Sequence, residues 1–366
     1  MATDVAFSPH HKQVFFDGVV DSSPRMPASA LSAQPHPGRV LIEMMVLANI
    51  LLISGSFGWL AILFLLTGVG LAGLWRQRRL IQGTTLFATW YWSIAGFLAV
   101  VASELAIGFG SPSGDAAWVA PLRFIAAVGT FCPNISLLGA KRPQDGMWNF
   151  IVLSLWGMLA LPAAEGFFIQ NGQALEVDDL RAFFLWVLWG EGIANLLPTR
   201  LWLYSILFGA AQIVLLAEYL PLLHLAPSFS MILLACGLLA ASQLAASRRL
   251  PARAANSPLD RLWLDFRDLF GTLWSLRIIE RVNASSTINQ WGVFLSWSGF
   301  FRGKDAVTPG VATSDNSEGH EKPSVMERGI STDESLTAVR QCLLNLLRRF
   351  VDSEWIAERD PSHDDV

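Results

Sequence analysis

Apolar runs, all but the first of about 16 to 24 residues, separated by short polar loops, fill the chain from residue 40 to residue 247, and then the pattern changes. The first run, Val40 to Trp75, would be about 54 Å long as one helix, too long for a single straight crossing. It reads as a membrane-surface helix over Val40 to Ser54 leading into a span over Phe57 to Trp75; the alternative is two short spans broken at the SGSFG stretch. Six further spans are expected at Thr85 to Gly108, Ala117 to Leu138, Trp148 to Ala164, Ala182 to Leu197, Leu201 to Leu220 and Phe229 to Ser247. The expected fold is an all-α polytopic membrane protein, a bundle of about seven transmembrane helices over residues 40–247. A flexible tail (1–39) would precede it and a small, mostly helical cytoplasmic region would follow.

Beyond residue 247 the periodicity becomes that of amphipathic elements. Ser257 followed by Pro258 marks a helix start, and Leu259, Leu262, Trp263, Phe266, Phe270 and Leu273 recur at helical spacing. The polar face mixes Asp260, Asp265 and Asp268 with Arg261 and Arg267, which favours packing on protein over packing on anionic lipid. Trp291, Val293, Leu295 and Trp297 alternate as in a strand. A lone strand is unstable, so a partner is expected from residues 305 to 312 or from another subunit. Helix and strand thus occupy 248–301, and residues 302–330 form a polar linker without ordered structure. The last segment, 331–366, opens with a capping box from Ser331 to Glu334 and sets Leu336, Val339, Leu343, Leu346 and Phe350 in a and d positions. It suits docking on the 259–282 helix or a homotypic contact.

Charge orients the bundle. Arg76, Arg78 and Arg79, Lys141 and Arg142, Arg200, and Arg248, Arg249 and Arg253 fall in alternate loops. The opposite loops hold Arg181 alone, beside Glu176, Asp178 and Asp179. By the positive-inside bias the C-terminus is cytoplasmic in the cell membrane and the N-terminus, with seven spans, is outside. Trp75, Trp118, Trp148 and Trp202 sit where interfacial anchors belong. Helices running outward end in a small residue followed by glutamate: Ser103 and Glu104, Ala164 and Glu165, Ala217 and Glu218. Either a triplicated hairpin or convergence on the charge bias explains that recurrence.

Composition narrows the chemistry. Hydrophobic residues make up 52% and charged residues 15%, with a net charge of −4, which points to the lipid bilayer and not to nucleic acid as the environment. Cys132, Cys236 and Cys342 are too scattered for a disulfide framework or a CxxC motif. His10 and His11 are adjacent and His224 is isolated, so neither a metal nor a haem cofactor is expected. No phosphate loop, nucleophile elbow or kinase signature occurs. The glycines of GVGLAG (68 to 73) lie inside a span and read as helix-packing positions.

Four intramembrane residues carry what functional signal there is. Glu104 and Arg123 lie at matching depth on adjacent helices, which predicts an ion pair. Glu191 lies about 13 Å from the start of its span, between Gly190 and Gly192, with no Lys or Arg at its depth on another span. Asn195, one turn later, is expected to share its face, and Asn134, Ser154 or Gln212 to bond the carboxyl across the bundle. The sequence supports a non-catalytic membrane component whose segments 258–300 and 333–357 bind a protein partner or a second copy. The alternative is a small-solute or ion/proton transporter or channel using Glu191.

Overall fold

The computed structural model describes residues 58–111, 116–142, 145–168, 175, 177–220, 223, 229–249, 257–302 and 332–360. Outside them fall the N-terminal tail, the Val40 to Ser54 surface helix with all but Gly58 of the SGSFG break, His10, His11 and His224, the expected 302–330 linker apart from Arg302, which ends a strand, and the Ser331 cap.

Helix dominates. In chain order the bundle comprises α1 (Gly58–Ile81), α2 (Phe87–Gly110), α3 (Val119–Gly129), α4 (Cys132–Leu138), α5 (Asp145–Leu159), α6 (Leu161–Phe168), α7 (Asp179–Leu196), α8 (Trp202–Leu216) and α9 (Phe229–Arg249). Among the described residues four rods are long and apolar enough to cross a membrane: α1, α2, α3 with α4 taken together, and α9. The pair α5 and α6, bent by 47°, makes a fifth if it counts as one span. Helices occupy the two other expected positions but differ in kind. α7 carries Asp179, Arg181 and Glu191, and α8 has only 15 residues.

Both broken rods have proline just after the break. Pro133 has no N–H for the carbonyl of Gly129, so the helix interrupts at Thr130 and Phe131 and restarts with Pro133 in its first turn. Within the break, Gln212 donates to the Thr130 carbonyl at 3.1 Å. Pro162 follows the α5–α6 bend at Ala160 in the same way.

Small residues set the helix spacing. A Cβ at Gly73 would lie 3.0 Å from the backbone of Gln243, so α1 and α9 meet main chain to main chain, and Gln77 donates to the Gln243 carbonyl at 2.9 Å beside that contact. Gly96 of α2 faces the Gly129 carbonyl of α3 equally closely. The GVGLAG stretch thus contributes Gly73 to the α9 contact and Gly70 to the seat of Phe97, whereas nothing lies near Gly68. Tryptophans join the helices as well as marking their ends. The indoles of Trp90, Trp148, Trp156 and Trp189 donate to the carbonyls of Leu74, Ile135, Ile125 and Gly209 at 2.7–3.1 Å.

The C-terminal region builds on α10 (Pro258–Ile288). Ser257 caps it, accepting from the Asp260 N–H at 3.1 Å. Gly271, with φ 75° and ψ −172°, divides α10 into two helical arms. That conformation is essentially restricted to glycine, and a Cβ there would fall 2.5 Å from the Asn195 side chain. Gly271→Ala is therefore expected to lower stability by about 1–3 kcal/mol, measured by denaturant unfolding in mixed micelles. A variant as stable as the parent would mean that the kink relaxes without cost.

The strand expectation needs correcting. The partner of β1 (Val293–Ser296) is neither residues 305–312 nor another subunit but β2 (Gly299–Arg302), paired antiparallel across the two-residue loop Trp297–Ser298. Four residues without an Asn-Gly turn leave little sequence signal. So short a hairpin is stable here because α10 side chains bond it: Asn283 exchanges two bonds with Leu295, Asp260 accepts from the Phe300 N–H, and Trp263 donates to the Ser296 carbonyl.

The last helices, α11 (Thr332–Leu347) and α12 (Ser353–Arg359), close over α10. Val339, Leu343, Leu344 and Leu347 are fully buried, so the seam follows a 3.6-residue rather than a strict a/d spacing, and Leu346 sits at its edge. The Phe350 ring packs edge-on against Phe266, Phe270 and Trp274, at 4.9–5.4 Å between centroids. The apolar faces of segments 258–300 and 333–357 are thus turned largely to each other and to the bundle.

Candidate functional site

Among the described residues polar groups come together at the end of the bundle bearing the acidic loops and at the joint with the C-terminal region, and one carboxyl, Glu191, stands apart in α7.

At the acidic end, Arg123 donates from Nε and Nη2 to the two oxygens of Glu104, at 2.8 and 3.0 Å. Glu104 is buried and Arg123 nearly so, in the bidentate geometry that gives such pairs direction as well as energy. The pair lines a cavity of about 260 Å³ between α2, α3, α8 and α9. Glu218, half-buried at the end of α8, lines the same space, and so does Tyr219, whose hydroxyl donates to the Ala120 carbonyl at 2.9 Å. The remaining walls are mostly apolar. A second pair of the same kind joins the next helices: Arg181 reaches both oxygens of Glu165 at 3.2 and 3.3 Å, and the Asp178 carboxylate caps α7 through the Arg181 N–H. Glu165 therefore bonds to protein, where a solvated interface carboxylate would be the simpler expectation.

Glu191 is placed differently. Leu180, Phe184, Val187, Glu191 and Ala194 share one face of α7, and Leu180, Phe184, Val187 and Ala194 are exposed. Glu191 is half-buried in the middle of that exposed stripe, about 18 Å along the helix from Asp179. Among the described residues it makes no hydrogen bond or ion pair. The three groups expected to reach it are elsewhere: Gln212 is bonded to Thr130, Asn134 abuts Gly192, and Ser154 makes no bond to it. Gly190 has nothing near the position its Cβ would take.

Asn195 does not share Glu191's surroundings. It is buried against the α10 kink, where its Oδ1 accepts from the Leu273 N–H at 3.0 Å and its carbonyl accepts from Thr272 Oγ1 at 2.9 Å. The candidates therefore separate into one contacting pair, Glu104 with Arg123, and two residues with unrelated roles.

The joint is a buried charge cluster that periodicity alone did not indicate. Asp268 Oδ1 accepts from Arg267 at 2.7 and 3.1 Å, and Arg200 approaches Oδ2 at 3.9 Å. Asp265 pairs with Arg359 at 3.0 Å, and that guanidinium stacks 4.0 Å over the Trp355 ring. Burial pushes the Asp265 carboxyl above the usual aspartate range more strongly than Arg359 pulls it down. Main-chain bonds close the joint: Thr85 N–H to Phe350, Asp352 N–H to Gly83 and Arg142 N–H to Arg349, at 2.7–2.9 Å, beside an Arg142–Asp352 ion pair.

Comparison with protein-family profiles, with characterised proteins and with solved structures finds no match.

Proposed function

We propose that the chain is a non-catalytic, seven-span component of the cell membrane, with a cytoplasmic C-terminus, that associates with a second copy of itself through the exposed stripe of α7. The single observation behind this reading is Glu191. A carboxyl near mid-bilayer costs at least about 2.5 kcal/mol on insertion scales, and here it lies on an outward-facing stripe without a partner among the described residues. Gly190 and Ala194, spaced i and i+4, form the small-xxx-small pattern that lets two helices approach closely. A two-fold crossing there would set one Glu191 against the other at equal depth, with a protonated carboxyl donating to its counterpart. Segments 258–300 and 333–357 are less suited to this role, because their apolar faces are mostly spent within the chain.

The transport reading draws its support from a different observation, the cavity at Glu104 and Arg123, which Glu191 does not line.

Photobleaching of labelled full-length protein in liposomes, over graded dilution with lipid, tests the proposal. Wild type is expected to count as dimers. Glu191→Leu, which removes the polar group without adding a burden to the membrane, is expected to associate at least about tenfold more weakly. A monomeric wild type at every dilution, or an unchanged Glu191→Leu dimer, rules this contact out; the first outcome combined with co-purification of another membrane protein through Glu191 would assign the stripe to a different partner.

A further inference from the structure

We infer that the cavity at the acidic end binds an organic ammonium carried on an apolar body. Helices α2 and α5–α6 each close with a glutamate that an arginine of the next helix neutralises: Glu104 by Arg123 and Glu165 by Arg181. The third member, Glu218 just past the end of α8, has no arginine of its own: the sequence holds no Lys or Arg between it and Arg248, and among the described residues the cation that acts on it is Arg123, shared with Glu104. Within the cavity two carboxylates face one guanidinium. Arg123 already spends Nε and Nη2 on Glu104, so the charge left over is negative and belongs to Glu218.

The walls set the rest of the ligand. Mostly apolar side chains surround these charges, in a volume of about 260 Å³, enough for a short alkyl or aryl body. Met231 and Leu234 of α9 line the cavity and are also 36% and 39% exposed, so it borders the apolar circumference of the bundle. An amphiphile already dissolved in lipid would reach it from the side, placing its ammonium at Glu218 and its tail along α8 and α9. An anion would meet the leftover carboxylate, and a small hydrated cation would gain nothing from the apolar walls.

Calorimetric titration of full-length protein in phosphatidylcholine nanodiscs tests this, using decylammonium against decanol of equal chain length. Saturable binding of the amine alone is expected, weakened about tenfold by Glu218→Gln, the scale of one partly buried charge contact. Glu218→Gln leaves the Glu104–Arg123 pair intact, and Val214→Phe, which fills the cavity with an apolar side chain, is a second variant expected to abolish binding. Replacing half the lipid by phosphatidylethanolamine separates two sources of the ligand: competition identifies a lipid headgroup, and unchanged affinity a free amine. Equal binding of decanol, or wild-type affinity in both variants, overturns the assignment. Neither result depends on self-association at Glu191.

Discussion

Arg123→Met is expected to destabilise the folded chain by about 3–5 kcal/mol, because it leaves the Glu104 carboxylate buried beside an apolar group. The loss reflects stranding one charge rather than the net worth of the pair. Changing both partners, Glu104→Gln with Arg123→Met, is therefore expected to recover most of it, and the double-mutant cycle should show strong coupling. Reversible unfolding in mixed micelles, followed by tryptophan fluorescence, measures all four corners. Additive single-site losses would show that the two residues do not act as a pair. The geometry speaks for coupling, since Arg123 Nε and Nη2 meet both oxygens of one carboxylate and one variant orphans both bonds.

Leu343→Asp is expected to cost at least about 4 kcal/mol, the range reached when an unpaired charge enters a closed core. Leu343 is fully buried between α10 and α11, beside Val339, Leu344 and Leu347. The damage should be local. Hydrogen exchange is expected to show lost protection through α10, the hairpin and α12, while α1, α2 and α9 keep theirs. Had α11 served as an oligomer contact, the same variant would alter subunit number and leave the monomer's protection untouched. Retained protection with altered subunit number would restore that reading and count against the packing described above.

What the sequence could disclose follows from the kind of interaction involved. Apolar runs bounded by charge locate each rod, because the cost of polar atoms in lipid is paid locally by each segment. Glu104 and Arg123 are readable for a related reason: two charges at one depth on successive helices have few other solutions. Ser257 and Pro258 mark the start of α10 through purely local bonding. Other features depend on what lies across space. Asn195 has the spacing to join Glu191, yet it is taken up by a kink at Gly271 that is distant in sequence. The β1–β2 hairpin carries a weak turn signal, and its stability comes from Asn283 and Asp260 of a helix. Leu347 displaces Leu346 from the seam because a globular cap, unlike a coiled coil, has no need to keep a seven-residue repeat. Glu218 belongs to the recurring glutamates of the sequence, but its place beside Glu104 and Arg123 in one cavity depends on α2, α3 and α8 meeting in space.

The bonds that tie Gly83, Thr85 and Arg142 to residues 349–352 have a consequence for how the protein is made. Arg142 and Asp352 are separated by 210 positions, so the loops after α1 and α4 leave the ribosome long before the strands of backbone that complete them. Until residues 349–352 are made, the main-chain groups of Gly83, Thr85 and Arg142 lack the partners they have in the folded chain. Closure of the C-terminal cap therefore waits for the turn between α11 and α12, and a chain stopped short of residue 349 would leave these loops unlatched.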